Sequence, residues 1–216
     1  MSTFDKSFTD PDVAVLRQYD ESAANYLKDI LFGDDLSKRQ KWIDLVENNP
    51  IFNPKYNMTL EEERDIAYKR IKTVADAKLF SIFDFQNDPV NLFTAHEHLA
   101  QIDPSLSTKF TVQFNLFGGS LMALHTERHL PFMKNIDSLK VMGCFCLTEL
   151  GFGNNAPKME TTATFDQSAQ EFSINSPTTA SQKYWITNGA CHANWAIVFA
   201  QTFVEGKLEG INSFLV

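Results

Sequence analysis

The sequence reads Gly143-Cys-Phe-Cys-Leu-Thr-Glu-Leu-Gly-Phe-Gly-Asn-Asn155 at the point where helix-like patterns give way to strand-like patterns. The apolar half of this stretch predicts a short buried strand, and the glycine-rich half predicts a loop at its end. Gly151 and Gly153 permit positive φ and leave room for a ligand. The stretch therefore predicts either an ordinary strand-end turn or one wall of a ligand site.

A second informative segment, Lys183-Tyr-Trp-Ile-Thr-Asn-Gly189, follows further along the chain. If it is a strand, Trp185 and Thr187 point to the same face. An indole ring beside a hydroxyl would offer a flat ligand both a stacking surface and a hydrogen bond. A core tryptophan followed by an Asn-Gly turn explains the same residues equally simply.

Composition limits the classes of protein to which this chain can belong. The chain has 216 residues, of which 44% are apolar and 21% charged, as in an ordinary globular protein of one large or two small domains. The net charge of −8 argues against nucleic acid as a partner, because phosphate-backbone binding needs clustered Lys and Arg. No apolar stretch is long enough to predict a membrane span. The three cysteines indicate a reducing compartment rather than a disulfide framework.

The first part of the chain predicts helices. Thr59 and Glu62 form a capping-box pattern, and Ser105–Arg128 predicts a long helix with Gly118 and Gly119 inside it. Paired glycines in a helix indicate a kink or a close approach by a ligand or another helix. The remaining helices are expected over 20–32, 35–47 and 92–102.

The last part predicts short strands over 142–149, 160–166, 171–175, 182–187, 194–204 and 211–216, with turns between them. We therefore expect an α+β fold, with an N-terminal helical domain over 1–140 and a small antiparallel, barrel-like β domain over 141–216. The final predicted strand reaches Val216 directly after a hairpin marked by Gly206 and Gly210, so we expect the β domain to be incomplete.

Other candidate sites are weaker. His125 and His129 are one helical turn apart, a spacing that can hold a metal, but no third ligand is evident and no metal site is predicted. Cys191 and His192 are adjacent, and on a strand they would point to opposite faces rather than form a catalytic pair.

Several stretches in the same order resemble one family: Phe145-Cys-Leu-Thr-Glu-Leu-Gly-Phe-Gly-Asn154, Glu160-Thr-Thr-Ala-Thr-Phe-Asp166, Trp185-Ile-Thr187 and Trp195-Ala-Ile-Val-Phe-Ala-Gln201. The sequence resembles the acyl-CoA dehydrogenase and acyl-CoA oxidase family, and the oxidase branch in particular. The match is detailed from about residue 143 to 216 and looser over the helical part.

The resemblance implies FAD-dependent oxidation of a fatty acyl-CoA to trans-2-enoyl-CoA, the first step of fatty acid β-oxidation. A carboxylate base would remove the α-proton while the β-hydrogen passes as hydride to the flavin. In oxidases O2 then reoxidises the flavin, and in dehydrogenases an electron-transfer flavoprotein does so. The family also implies a homodimer or homotetramer and, for the oxidase branch, a peroxisomal location, with cytoplasm and mitochondrion as alternatives.

By the same resemblance, Thr148 would hydrogen-bond the pyrimidine side of the flavin, Trp185 would lie against the ring system, and Thr187 would sit near its N5 and O4 edge. The other implied FAD contacts are Phe145, Leu147, Gly153, Asn154 and Ile186, and Asn154 would also touch the substrate. Two departures from the family pattern, Phe152 for His and Asn154 for Ser or Thr, leave the acyl-chain preference open.

The family's catalytic glutamate lies in a C-terminal helical domain, and residues 1–216 do not include that domain. Glu149 belongs to the strand signature, so no catalytic residue is assigned. We expect this chain to be the front part of such an enzyme and inactive alone. The alternative is a truncated, non-catalytic relative that binds FAD weakly or pairs with a full-length homologue.

Overall fold

A computed structural model describes residues 21–32 and 36–216. It divides the chain into two compact units, residues 1–40 and 41–216. Helix α1 (Glu21–Phe32) belongs to the first unit, and helix α2 (Leu36–Glu47) crosses into the second. Within the first unit the Arg39 guanidinium lies 4.9 Å from the centre of the Phe32 ring, which is a cation–π distance.

The second unit begins with helices, as predicted. They are α3 (Leu60–Ala77), α4 (Asp84–Asn87), α5 (Pro89–Ile102), α6 (Pro104–Phe110), α7 (Gly119–Leu124) and α8 (Leu130–Met133), with 3-10 turns at Pro50–Phe52, Glu127–His129 and Ala156–Lys158. The predicted capping box is confirmed, because the Thr59 and Glu62 side chains each accept the other's backbone N–H. None of these described helices is both long and apolar enough to cross a membrane.

The predicted helix from Ser105 to Arg128 is shorter and less regular than expected. Its middle, Thr111–Gly118, is a π-helix, and the α-helical part ends at Leu124 because His125 is extended. A close approach does occur at the paired glycines, but it is made by a turn rather than by a ligand or another helix: a Cβ on Gly118 would lie 2.7 Å from Cγ2 of Ile82, in the turn before α4. Glycine is therefore required there by packing rather than by its backbone angles.

The sheet contains β1 (Gly143–Cys146), β2 (Thr162–Asp166), β3 (Glu171–Asn175), β4 (Trp195–Val204) and β5 (Lys207–Leu215). The α+β class is confirmed, but the sheet is mixed rather than antiparallel. β4 pairs in parallel with β1 through its first half and with β2 through its second half, and it pairs antiparallel with β5. The long connection from β3 to β4 makes this possible, because parallel strands need a crossover.

The predicted strand at 182–187 is wrong. Lys183 forms only an isolated bridge with Glu149, and Trp185 has a φ of 65°, which no strand accommodates. The predicted strand at 142–149 is likewise shortened to β1. The hairpin after β4 is confirmed, with Gly206 at a φ of 78°.

A cluster of phenylalanines joins the helices to the sheet. Phe110, Phe114 and Phe117 are buried in one core with Ile197 of β4. The Phe117 ring occupies the space beside Gly143, where an added Cβ would lie 2.0 Å from a ring carbon. The buried Gln113 side chain donates to the Val141 carbonyl at 2.8 Å and accepts from the Gly143 N–H at 2.9 Å. The π-helix thus fixes the start of β1, whose far end leads into the glycine-rich loop.

Candidate functional site

The glycine-rich loop after β1 is held by one buried carboxylate. Glu149 accepts the backbone N–H groups of Glu160 at 2.8 Å and Thr161 at 2.9 Å, and the Lys183 ammonium at 3.1 Å. Burial alone would raise the pKa of Glu149, but these hydrogen bonds outweigh it and hold the pKa below its ordinary value. Glu149 is therefore an ionised anchor of the loop, and its carboxylate oxygens are already engaged in hydrogen bonds.

Four of the predicted site residues come together beside this loop. Thr148, Gly153, Asn154 and Trp185 line a cavity of about 590 Å³, called the Trp185 cavity below. Trp185 is 85% exposed, so its ring is available to a ligand. Gly153 has a φ of 53° and no neighbouring atom within 4 Å of the place where a Cβ would stand. These residues come from two separate segments and were predicted from the resemblance of both segments to the family's motifs.

The remaining predicted residues lie elsewhere. The Phe145 ring packs against Phe199 at 4.9 Å, and the Leu147 carbonyl accepts the Lys183 ammonium. Ile186 and Thr187 line a second cavity of about 450 Å³, together with Lys109 and Asn188. This second cavity is called the Lys109 cavity. The expectation that Trp185 and Thr187 share a strand face is wrong, because the positive φ of Trp185 turns the chain between them.

A turn follows Thr187 and is closed by its own backbone. The carbonyl of Asn188 accepts the N–H groups of Cys191, His192 and Ala193 at 3.2, 3.1 and 3.0 Å. Asn188 itself has a φ of 71°, a conformation that asparagine tolerates better than most residues. Residues 188–193 are called the Asn188 turn below.

The Asn188 turn is tied to helix α6 by a lysine that sequence reasoning missed. The Lys109 ammonium lies 2.5 Å from Asn188 Oδ1 and 2.9 Å from His192 Nδ1. The His192 ring also stacks on Tyr68 of α3, with 4.8 Å between the ring centres. The sequence shows only a lysine in the short, mostly polar segment Pro-Ser-Leu-Ser-Thr-Lys-Phe, and nothing local identified its partners.

Both members of this Lys–His pair are destabilised in their charged forms. Burial lowers the pKa of Lys109, the nearby Cys191 opposes that change, and Arg64 adds to it. Burial also lowers the pKa of His192, with further lowering by Lys109 and Arg64 and an opposing effect of Asp65. A neutral His192 with its proton on Nε2 can accept from the ammonium, which explains the 2.9 Å contact.

The weaker candidates have structural partners. His129 Nδ1 caps the Thr126 N–H at 3.0 Å, and His125 Nδ1 lies 3.1 Å from the Leu121 carbonyl. Over residues 21–32 and 36–216, the structure contains no group of three His, Cys, Asp or Glu side chains that could hold a metal. Cys144 and Cys146 are free thiols whose sulfurs lie 3.6 Å apart.

Comparison with known proteins identifies the family. No family model matches the chain. Acyl-coenzyme A oxidase 3 of Arabidopsis thaliana, named peroxisomal, is 36% identical over 167 residues, which is 76% of this chain and 25% of the relative. The chain belongs to the acyl-CoA oxidase family. It spans only about a quarter of the length of that relative.

Solved acyl-CoA oxidases share the fold. Acyl-CoA oxidase 3 from Yarrowia lipolytica matches with a TM-score of 0.76 and 28% identity, covering 88% of this chain and 28% of that one. Acyl-CoA oxidase 2 from Caenorhabditis elegans, solved with FAD, ascaroside-CoA and ATP, matches with a TM-score of 0.67 and 25% identity, covering 83% of this chain and 27% of that one. The helices and mixed sheet described above are therefore an acyl-CoA oxidase fold.

Proposed function

We propose that residues 1–216 form the helical and β part of an FAD-dependent acyl-CoA oxidase, which converts a fatty acyl-CoA to a trans-2-enoyl-CoA. The observation that carries this proposal is the convergence of Thr148, Gly153, Asn154 and Trp185 on one cavity. Family membership and the FAD-bound oxidase among the similar structures support it.

The Trp185 cavity offers what a flavin needs. The Thr148 hydroxyl and the Asn154 amide make no hydrogen bond to any described residue, so both are free to bind a ligand. The exposed indole of Trp185 supplies a stacking surface, and the bare Gly153 lets a flat ring approach the backbone. Bound FAD would supply the hydride acceptor.

The roles of the chain's own residues follow from this fit. Thr148 would donate to a carbonyl on the pyrimidine side of the ring, and Trp185 would hold the ring plane and exclude water from it. Asn154 would reach the thioester end of the substrate. Ile186 and Thr187 would contact the N5 and O4 edge from the side of the Lys109 cavity. Phe145, in β1, and Leu147, just after it, would hold the glycine-rich loop in position.

A base for the α-proton is not among the residues that line the Trp185 cavity, and Glu149 is already occupied. We therefore propose that the base lies outside residues 1–216 and that this chain alone does not turn over. Under this proposal the complete oxidase is a homodimer or homotetramer of the peroxisome and passes its electrons to O2. The second candidate, a non-catalytic module that binds FAD, rests on the same cavity.

FAD titration of the 216-residue chain tests the proposal. Quenching of flavin fluorescence should saturate, and Trp185→Ala should weaken binding at least tenfold. Tyr56→Ala is the matched control, because Tyr56 is 81% exposed and does not line the cavity. Absence of saturable binding in the unmodified chain, or an equal loss in both variants, would overturn the assignment of this cavity.

Turnover tests whether the base lies outside this chain. Hydrogen peroxide release should be absent when the 216-residue chain receives FAD and an acyl-CoA. A steady-state rate from the chain alone would contradict the proposal that its base lies elsewhere.

A further inference from the structure

We propose that Lys109 is a positioning residue of the flavin site, which fixes Thr187 by holding the Asn188 turn against helix α6. The inference rests on the proposed function for its consequence, but the positioning itself can be measured without FAD. The hydrogen bonds of Lys109 go to Asn188 and His192 rather than to a predicted cofactor contact, so Lys109 acts through the turn.

The first observation is that both hydrogen-bond partners of Lys109 belong to one short turn. Asn188 and His192 are 79 and 83 residues away in sequence, yet their side-chain acceptors lie 2.5 and 2.9 Å from the same ammonium. An ammonium has three donors in a compact head, so it can bind two acceptors from different directions at once. Lys109 therefore clamps the first residue of the turn and its fifth to the helix.

The second observation is that this lysine is buried without an opposite charge. Its side chain belongs to a residue only 7% exposed, and it forms no ion pair with any described carboxylate. The nearby Arg64 further disfavours its charge. Burying an ammonium against neutral acceptors costs free energy, and an apolar side chain would fill the same space at lower cost. A role beyond packing explains why a lysine occupies this position.

The third observation connects the clamp to the flavin site. Thr187 directly precedes Asn188, and Thr187, Asn188 and Lys109 line the same cavity. The Asn188 carbonyl closes the turn through three N–H groups, and the Asn188 amide also lies 3.4 Å from the Gly143 carbonyl of β1. Moving the Asn188 side chain therefore moves Thr187 relative to β1, which leads into the Thr148 loop.

Two variants separate positioning from simple packing. Lys109→Met keeps the length and apolar volume and removes all donors, whereas Lys109→Arg keeps a charged donor that can reach both acceptors. Lys134→Met is the matched control, because Lys134 lines a different cavity. Hydrogen exchange of the 186–193 amides, the FAD dissociation constant and the urea midpoint are measured for each.

In Lys109→Met we expect exchange of the Cys191, His192 and Ala193 amides to be at least tenfold faster, without FAD, while exchange across β2 and β3 is unchanged. The FAD dissociation constant should rise at least tenfold. Lys109→Arg should recover most of both effects, and Lys134→Met should show neither. If Lys109→Met fails to fold, His192→Asn replaces it, and a three- to tenfold faster exchange confined to the turn is expected.

The outcomes distinguish the two proposals. Faster exchange in Lys109→Met, with no FAD binding by the unmodified chain, would support the clamp and overturn the proposed function. FAD binding that is equal in the unmodified chain and Lys109→Met, with unchanged exchange of the turn, would overturn the clamp. Equal losses in Lys109→Met and Lys109→Arg would also overturn it, because they would show a packing defect.

Discussion

Glu149 and Lys109 are both buried charged side chains that anchor a segment of the candidate site, but they do so under opposite electrostatic conditions. Glu149 holds the glycine-rich loop with a cationic partner and two backbone donors, so its charge is favoured. Lys109 holds the Asn188 turn with neutral acceptors and a nearby arginine, so its charge is disfavoured.

Because of this difference, we expect the two segments of the candidate site, the glycine-rich loop and the Asn188 turn, to differ in rigidity. A fully satisfied buried network rigidifies its surroundings, whereas an anchor whose charge is disfavoured opens more easily. We therefore expect the Thr148 side of the site to be fixed before any ligand binds and the Thr187 side to respond to protonation and ligand.

The largest effect should come from removing the favoured anchor. Glu149→Ala leaves the Lys183 ammonium and the N–H groups of Glu160 and Thr161 without their partner in a buried place. Breaking such a pair costs about 3–5 kcal/mol. Urea unfolding measures this loss, and the exposed Glu171→Ala serves as the control. A loss below about 1 kcal/mol would show that water replaces the carboxylate and that the loop is not fixed by it.

Crowding against the same loop should cost somewhat less. A Cβ on Gly151 would lie 2.6 Å from the Ala180 Cβ and 3.2 Å from its Cα, and a backbone atom cannot move aside cheaply. We expect Gly151→Ala to lose about 3 kcal/mol, at the upper end of overpacking costs. The double variant with Ala180→Gly should recover much of that loss in a double-mutant cycle. An additive cycle would show that the loop shifts freely.

A smaller effect should come from backbone strain in the same loop. Gly153 has a φ of 53° but an open surrounding, so Gly153→Ala adds strain without a clash. The left-handed conformation costs about 1 kcal/mol for a residue with a Cβ. Gly153→Asn should cost less than Gly153→Ala in the same unfolding measurement, because asparagine tolerates this conformation. Equal costs would indicate that the side chain, rather than φ, sets the loss.

Acid should weaken the disfavoured anchor. Because the pKa of His192 is lowered in the folded chain, the unfolded chain binds that proton more tightly, so stability falls as pH drops through about 6.5. Burial is the main cause of the lowered His192 pKa; Lys109 and Arg64 add to it, and Asp65 opposes it. Between about pH 7.5 and pH 5, the urea midpoint should fall more for the unmodified chain than for His192→Gln. Parallel pH profiles would contradict a role for His192 in this region.

The elements of local origin could be predicted from the sequence. The capping box at Thr59 and Glu62 and strand β3 follow from short-range patterns, and both are found as expected. The parallel pairing of β4 with β1 and β2 could not be predicted, because it depends on a long crossover that leaves no local trace.

The residues of the candidate site also fall into those that the sequence predicted and those that it did not. Thr148, Gly153, Asn154 and Trp185 were predicted and do share a cavity, although their contacts with FAD remain predictions. The strand predicted over 182–187 is wrong because Trp185 has a φ of 65°, which interrupts the extended backbone despite its strand-like neighbours. Lys109 was missed because its partners come from a distant part of the chain.

The smallest effect on stability should come from Trp185, which lies in the chain between the glycine-rich loop and the Asn188 turn. Trp185 is 85% exposed, so Trp185→Ala removes little buried surface and should change the free energy of unfolding by less than about 0.5 kcal/mol. A large exposed ring at positive φ contributes almost nothing to the fold, and we propose that ligand contact is the reason for its position. If urea unfolding instead shows a loss of about 2 kcal/mol or more, Trp185 packs in solution, and the Trp185 cavity closes without a ligand.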